Sequence, residues 1–378
     1  MNDAFSIVYA EQGSPMLREL IALRSVAALP FAGRYRIIDL LLSNLANSGI
    51  HNVGLITQRN YKSLMDQIGS GKPWDMSKKN GGIMVLPPYD LDASPGQYHS
   101  VCDALFAKRD FINHQRRSYC LVLETNAVYT QDYSVMFDRM QETGADIAIL
   151  CSRNERLMAD GTSKATFVQA DDDGVVKDVS YEPFNPSGYV ESLGAVLIRK
   201  DLLGRLVEDA CAQGHYNFST DVLEPAARRY KVVAVMHEGY AARVTSVKAY
   251  FDLNHDMLDP GVRRSLFFSE NPVYTKTLDA PPIKFKRGCQ VSNSLFGNGC
   301  IVRGRVADSV IFRGVTIDED ADVENCIIMQ NTHVGRGAHL RNMIIDKDAT
   351  IAPKARCVAL PESPLIVRKG AVVEGENS

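Results

Sequence analysis

The sequence has no long hydrophobic run and no signal-like start, and these absences exclude two classes of protein. No stretch of about 18 apolar residues occurs, so a typical membrane-spanning helix is excluded. The opening segment MNDAFSIVYAEQGS lacks the basic residues and the long apolar core of a secretion signal. We therefore expect a cytoplasmic protein that has no membrane partner.

Strong charge of one sign and paired cysteines are missing as well. The net charge is -3, so a nucleic-acid partner is not expected, because such binding depends on clustered Lys and Arg. The eight cysteines include no C-x-x-C pair, and we expect reduced packing thiols rather than a metal or redox site. What the chain does have is length and apolar content: 378 residues, 45% of them hydrophobic, are enough for two domains with separate cores.

The first 200 or so residues alternate short β-type runs with helical ones. Apolar residues at helical spacing lie at Ile38, Leu41 and Leu45, and further helices are predicted around residues 101–105 and 136–140. This alternation predicts βαβ units and a mainly parallel sheet, interrupted by a hairpin whose turn is 171–174. The predicted strands are Phe5–Ala10, Asn52–Ile56, Gly82–Leu86, Tyr119–Leu123, Ala145–Cys151, Thr166–Ala170 and Val175–Val179.

The C-terminal third contains an internal repeat. Similar short units begin at Asn293, Asp308, Asn325 and Asn342, at steps of 15, 17 and 17 residues (308 − 293, 325 − 308, 342 − 325), and Val302, Ile317, Val334 and Ile351 repeat at the same steps. Apolar residues about six apart within each unit predict triangular coils of a left-handed parallel β-helix over about 288–360. We therefore predict an α/β domain over 1–250, a linker over 251–287 and a β-helix domain over 288–378.

Several stretches resemble one family. FAGRYRIID at 31–39, followed by LSN at 42–44 and NSGI at 47–50, is similar to the F-G-G-K-F-R-I-I-D, L-S-N and N-S-G-I block of ADP-glucose pyrophosphorylases, also called glucose-1-phosphate adenylyltransferases. Weaker similarities at 129–134 and 249–251 extend the resemblance along nearly the whole chain. It implies a Rossmann-like nucleotidyltransferase domain before the β-helix. It also implies the reaction of ATP with glucose-1-phosphate in glycogen biosynthesis, with Mg²⁺ and basic side chains stabilising the phosphate charge.

The family's phosphate anchors are replaced in this sequence. Its glycine-rich loop G-G-x-G-T-R-L aligns with EQGSPML at 11–17, which places Gly13 in the loop and Met16 at the arginine position. Glu11 adds negative charge where the triphosphate would lie, and Pro15 removes a backbone donor. The family's K-x-x-K-P-A run aligns with 23–28, so that Val26 stands at its second lysine.

The metal and sugar-phosphate positions depart from the family in the same direction. Asn126 replaces the aspartate that ligates Mg²⁺, Arg243 stands at the aspartate of R-D-V-G-T, and Glu182 replaces the sugar-phosphate lysine of V-E-K-P. No intact catalytic set is therefore expected, and no cofactor is assigned to this chain. The pattern resembles the GlgD-type regulatory subunit that accompanies a catalytic, Mg²⁺-dependent GlgC-type subunit in an allosterically regulated heterotetramer.

Three arginines are candidates for a regulatory site. Arg24, Arg34 and Arg36 align with the stretch that binds anionic effectors in related enzymes, although a solvated loop could carry them by chance. Arg303, Arg305 and Arg313 of the β-helix are possible partners in that site. Two other readings stay open at this point: a competent enzyme that uses Glu124 as a diverged ligand, and a subunit that only completes the oligomer.

Overall fold

The computed structural model describes residues 3–10, 13–77, 81–88, 98, 100–153 and 165–374. An α/β part built on one mixed sheet is followed by a parallel β-helix. Glu11 of the loop comparison lies outside the described residues. Within the described ranges, no helix is both long and apolar enough to cross a membrane.

The strands of the α/β part are β1 Ala4–Tyr9, β2 Pro30–Phe31, β3 Tyr35–Arg36, β4 Asn52–Ile56, β5 Gly82–Leu86, β6 Tyr119–Glu124, β7 Ala127–Val128, β8 Ile147–Ser152, β9 Thr166–Ala170, β10 Val176–Tyr181, β11 Val190–Arg199, β12 Val232–Met236 and β13 Ala242–Arg243. The central sheet has the strand order β10-β9-β11-β6-β1-β4-β5, and β8 pairs with both β11 and β12. Strands β6, β1, β4 and β5 are parallel to one another, as predicted, but β11 is antiparallel to β6 and β8.

Helices cover both faces of this sheet. Two separate apolar clusters result, one on each face, because the buried strands carry apolar residues on both sides. The helices are α1 Ile37–Asn47, α2 Lys62–Ile68, α3 Val101–Ala107, α4 Arg109–His114, α5 Ser134–Thr143, α6 Lys200–Ala212, α7 Glu224–Ala227, α8 Val247–Asp256 and α9 Pro260–Phe267. The predicted helices at 38–45, 101–105 and 136–140 correspond to α1, α3 and α5.

The β-helix follows the predicted repeat. Val302, Ile317, Val334 and Ile351 are direct partners on neighbouring parallel strands and are fully buried, while Asn293, Asp308, Asn325 and Asn342 all take the left-handed turn conformation. The strands extend beyond the predicted 288–360. They are β14 Lys284–Phe285, β15 Gln290–Ser292, β16 Leu295–Phe296, β17 Ile301–Val302, β18 Arg305–Ala307, β19 Val310–Ile311, β20 Thr316–Ile317, β21 Asp322–Glu324, β22 Ile327–Ile328, β23 His333–Val334, β24 His339–Arg341, β25 Met343–Ile345, β26 Thr350–Ile351, β27 Arg356–Val358, β28 Leu365–Val367 and β29 Val372–Val373.

The segment predicted as a linker, 251–287, includes the end of α8 and all of α9. Asp259-Pro260-Gly261, a combination typical of turns, begins α9: the Asp259 side chain accepts from the Gly261 backbone N–H at 2.6 Å, and Pro260 takes a first-turn position. The same sequence therefore suits a turn or a helix start. The exact domain boundaries stay a prediction.

One sheet of the β-helix packs against the α/β part. Val310, Ile327 and Ile344 alternate with interior residues and point into a shared apolar cluster that includes Leu17, Phe31 and Phe251. A buried ion pair crosses the same boundary. Arg24 Nη2 donates to both carboxylate oxygens of Asp346, at 2.9 and 2.7 Å, and both side chains are almost fully buried.

This ion pair predicts a measurable effect on stability. In Asp346→Ala, the Arg24 charge stays buried without a partner, so we expect the free energy of unfolding to fall by about 3–5 kcal/mol. The matched control is Glu319→Ala, whose exposed pair with Arg336 spans 3.7 Å and should contribute less than about 1 kcal/mol. Urea unfolding of both variants measures the difference, and equal losses would contradict the assignment. Arg24→Met/Asp346→Leu should recover most of the stability, because no charge is left unpaired.

Candidate functional site

A cleft of about 640 Å³ lies where β1, β6 and β10 end. We call it the sheet-edge cleft; its walls include the 13–16 loop, Glu124, Asn126, Asn217–Ser219 and Val244–Thr245. Ligands in open α/β sheets bind at the carboxyl ends of the strands, so this is the expected place for a substrate. Gly13, Met16 and Asn126 all line the cleft, although Asn126 lies more than 100 residues after the other two in the sequence.

The loop after β1 is packed against the core rather than open for phosphates. Gly13 has φ +105°, and a Cβ on it would lie 2.3 Å from Val26 Cγ2. Val26 is fully buried, so an ammonium group at its position would have to enter an apolar cluster. The Ser14 hydroxyl accepts from the Met16 N–H at 3.2 Å and begins a 3-10 segment, Pro15–Ile21, while the Met16 side chain is half exposed.

Arg243 fills the space beside Asn126. The short strand β13 pairs with β7, so that Arg243 lies opposite Ala127. Its guanidinium donates to Asn126 Oδ1 at 2.7 Å, to Glu191 Oε1 at 2.7 Å and to the Ser192 backbone oxygen at 2.5 Å. Glu191 is fully buried and Arg243 nearly so. The Arg243 guanidinium therefore occupies Asn126 Oδ1, which belongs to the cleft wall, together with one Glu191 oxygen and the Ser192 backbone oxygen.

This arrangement does not fit a divalent metal ion. Mg²⁺ binds in proteins through one or two carboxylates, with near-octahedral oxygen ligands. Here the guanidinium takes the Asn126 oxygen and the Glu191 carboxylate, and it would repel a second cation. No group of three or more His, Cys, Asp or Glu side chains that could hold a metal occurs in the described part of the chain. We assign no metal-dependent step to this chain.

Glu124 is the carboxylate at the wall of the sheet-edge cleft. Burial raises its pKa, and the nearby Arg243 charge opposes that shift. A bulge in β11 makes room for the side chain: Gly194 has φ +72°, and a Cβ there would lie 2.9 Å from Glu124 Cβ. Glu182, in contrast, is exposed just after β10 and takes a left-handed conformation with φ +51°.

The three candidate effector arginines lie in two places. Arg36 is largely buried, and its guanidinium donates to the Ser63 backbone oxygen and, at 2.8 Å, to the Ser63 hydroxyl. Arg24 is the buried partner of Asp346, so in this structure it joins the two parts of the chain. Arg34 is exposed beside Tyr35. The pKa of Arg313 is lowered, mainly by the burial of Arg313 itself and secondly by the nearby Arg34 charge. Direct effector contacts by these arginines stay a prediction.

Lys347 is a residue that sequence reasoning missed. It follows Asp346, and burial lowers its pKa to about 7, with Arg36 and Arg24 adding repulsion. Beside it is a second cleft of about 500 Å³ between the Pro15–Ile21 segment and the last coils of the β-helix. We call this the basic cleft; its walls include Arg18, Glu19, Asp346, Arg368 and Lys369.

A signal for this cleft was present in the repeat. Counting from Asn342, Asp346 occupies the position that Phe312 and Met329 hold in the two preceding units, and both of those are fully buried. A carboxylate at an apolar repeat position predicts a buried cationic partner, which is Arg24.

Of the β-helix arginines, Arg303 pairs with Asp318 at 3.1 Å and Arg305 with Asp322 at 2.5 Å. Those two arginines therefore have carboxylate partners within the β-helix.

Comparison with known proteins agrees with this geometry. Residues 16–259 match the nucleotidyl transferase family, and residues 281–359 match the GlmU-like C-terminal hexapeptide family. The glycogen biosynthesis protein GlgD of Bacillus subtilis (strain 168) is 30% identical over 363 residues, covering 95% of this chain and 94% of the relative. Glucose-1-phosphate adenylyltransferases of Thermomicrobium roseum and Bacillus cytotoxicus are 32% and 30% identical, covering 94% and 93% of this chain and 83% and 89% of the relatives.

The match over residues 16–259, together with the α/β sheet and the cleft at its strand ends, defines the class of protein. The chain belongs to the nucleotidyl transferase family. Its similarity to GlgD and to glucose-1-phosphate adenylyltransferases along almost its whole length confirms the resemblance to the ADP-glucose pyrophosphorylase family, with a GlgD-type assignment. The hexapeptide match, together with three parallel sheets, confirms the predicted α/β nucleotidyltransferase domain with a C-terminal left-handed β-helix.

Proposed function

We propose that the chain is a regulatory, catalytically impaired subunit of a cytoplasmic glucose-1-phosphate adenylyltransferase complex that makes ADP-glucose for glycogen biosynthesis. The observation that carries this proposal is Arg243, whose guanidinium takes the place where the family resemblance implies a metal ion. The packed Gly13–Val26 contact supports it, since the loop offers no basic side chain to a leaving pyrophosphate. A catalytic GlgC-type partner would then supply the Mg²⁺ site.

The regulatory half of the proposal depends on the basic cleft. Asp346 is neutralised by Arg24, Glu19 pairs with Arg368 at 3.3 Å, and Lys369 has Asp348 at 3.9 Å. Arg18 and the neighbouring Lys347 and Arg36 remain as excess positive charge. Such a site suits a phosphorylated or carboxylated small molecule. Because its walls come from both parts of the chain, a bound anion would favour one arrangement of the two and so bias the conformation of a partner.

The effector proposal is tested in the mixture with a catalytic GlgC-type relative. Arg36→Ala and Lys347→Ala should each weaken the response to an anion at least about tenfold, because a charge-assisted hydrogen bond contributes about 1.5–3 kcal/mol. Lys286→Ala, on the exposed start of the β-helix, is the matched control. Arg34→Ala tests the remaining predicted contact, whereas Arg24→Ala would disturb folding and cannot separate the two roles. The anions to test are phosphate, a sugar phosphate and a nucleotide. If the concentration of each that gives half of the maximal response is unchanged in the Arg36 and Lys347 variants, the proposal is contradicted.

The same site predicts a pH dependence. With its pKa lowered to about 7, Lys347 is charged below that pH and loses its charge above it. Anion affinity should therefore fall as the pH rises through 7. Sulfate is the suitable probe because its own charge is constant in this range. In Lys347→Ala this part of the pH dependence should disappear.

A further inference from the structure

The sheet-edge cleft has walls that differ from those of a phosphate site. Among its described residues there is no Lys and no Arg, and the polar groups are hydroxyls, the amides of Asn126 and Asn217 and the carboxylate of Glu124. At about 640 Å³ it falls within the range of small-molecule sites. The volume is therefore that of a binding pocket, while the described part of its walls offers no cation to the phosphates of a nucleotide.

Some of the polar groups in these walls already have hydrogen-bond partners within the chain. The groups that remain for a ligand include both donors and acceptors. Asn217 Oδ1 accepts from the Ser219 and Thr220 N–H groups at 2.9 and 3.2 Å, and Asn126 Oδ1 accepts from Arg243. Within the described ranges, neither amide nitrogen donates a hydrogen bond, and the Glu124 carboxylate accepts none. Two amide NH2 groups, with two N–H donors each, and one carboxylate acceptor thus remain for a ligand.

Such a set matches groups that donate and accept at once. A sugar hydroxyl does both, so it can accept from an amide and donate to the Glu124 carboxylate. A phosphate can only accept at neutral pH, and the Glu124 charge would repel it. Tyr9, Tyr181 and Phe218 add aromatic surface to the walls, which suits the C–H faces of a sugar ring.

We propose that the sheet-edge cleft binds an uncharged sugar, a single hexose or the end of an oligosaccharide, and not a sugar phosphate. This inference rests on the proposed function, because it requires a cleft that no longer performs phosphate chemistry. The Glu124 carboxylate and the Asn126 and Asn217 amides hold the hydroxyls. Arg243, paired with Glu191, holds the Asn126 side chain in place, where the family resemblance implies a metal ion. Regulation then responds to an uncharged sugar as well as to an anion.

The test is a titration of the full-length chain, by calorimetry or ligand-observed NMR, with glucose, maltotriose, glucose-1-phosphate and ethylamine. Glucose or maltotriose should bind, with glucose-1-phosphate at least about tenfold weaker. Glu124→Gln should weaken sugar binding about tenfold, as expected for losing a hydrogen bond to a charged group. Glu208→Gln, an exposed carboxylate on α6, is the matched control and should leave binding unchanged.

Asn217→Asp gives a second variant in case Glu124→Gln does not fold. It keeps the acceptor that caps residues 219 and 220 but replaces the amide donor with a second carboxylate, so sugar binding should again fall at least about tenfold. The proposal is overturned if glucose-1-phosphate binds as tightly as glucose, or if ethylamine is the only probe that binds. It is also overturned if the Glu124→Gln and Asn217→Asp variants are folded and both bind sugar as tightly as the unchanged chain. These outcomes leave the proposed regulatory function intact, whereas turnover by the chain alone would overturn that function independently.

Discussion

Alone, the chain should form ADP-glucose from ATP and glucose-1-phosphate at least about 10³-fold more slowly than a catalytic glucose-1-phosphate adenylyltransferase relative. Metal ions contribute several kcal/mol to the stabilisation of transition-state charge, and each 1.36 kcal/mol is about tenfold in rate. In this chain the Arg243 guanidinium takes the oxygen atoms that such an ion would need. Pyrophosphate release at saturating substrates and Mg²⁺ measures the rate.

Restoring the two metal positions should recover little of this activity. Asn126→Asp with Arg243→Asp removes the internal cation, but Met16, Val26 and Glu182 still stand where the family has basic residues. Groups that act as a unit are not additive, so part of the set does not give part of the rate. Adding Val26→Lys should also destabilise the fold, because Val26 is fully buried against Gly13. A double revertant with family-like turnover would show that a diverged but competent site, with Glu124 as a ligand, is present.

Arg243→Ala is expected to be one of the most destabilising single substitutions in the chain. Glu191 is fully buried, and removing its partner should lower the free energy of unfolding by about 3–5 kcal/mol. Arg228→Ala is the matched control, because its pair with Glu224 is exposed and should contribute less than about 1 kcal/mol. Thermal or urea unfolding compares the two variants.

A second variant separates loss of charge pairing from loss of packing. Arg243→Met with Glu191→Gln removes both charges, so it should be considerably more stable than Arg243→Ala. If Arg243→Ala is no less stable than Arg228→Ala, the guanidinium does not hold Glu191 and Asn126 in place. The loss of the metal site would then have another cause.

The sequence predicted the elements of the fold better than their connections. The β-helix was predictable because its repeat steps bring Val302 and Ile317 into direct register. The reversal of β11 was not, because apolar runs alone do not show strand direction, and the strands that pair with β11, which are β6, β8 and β9, all lie earlier in the chain than β10. Helix α9 was missed because Asp259-Pro260-Gly261 suits a turn and a helix start equally well.

The candidate site was predictable by position but not by contact. Comparison with the family marked Asn126 and Arg243 separately as lost ligands. Their hydrogen bond depends on the pairing of β7 with β13, two-residue strands far apart in the chain, for which no local pattern exists. Lys347 was missed for a related reason, since its environment comes from Arg36 and Arg24 across the domain boundary.

The regulatory function is tested by the rate of ADP-glucose formation by this chain alone, by a catalytic GlgC-type relative alone, and by the two mixed. We expect no significant rate for the chain alone, and a mixture with a higher affinity for substrate or a stronger anion response than the relative alone. Replacing the chain with its Lys347→Ala variant should weaken the anion response at least about tenfold while the proteins still co-purify. A chain that turns over unaided at a family-like rate, or a mixture indistinguishable from the relative alone, would contradict the proposed function.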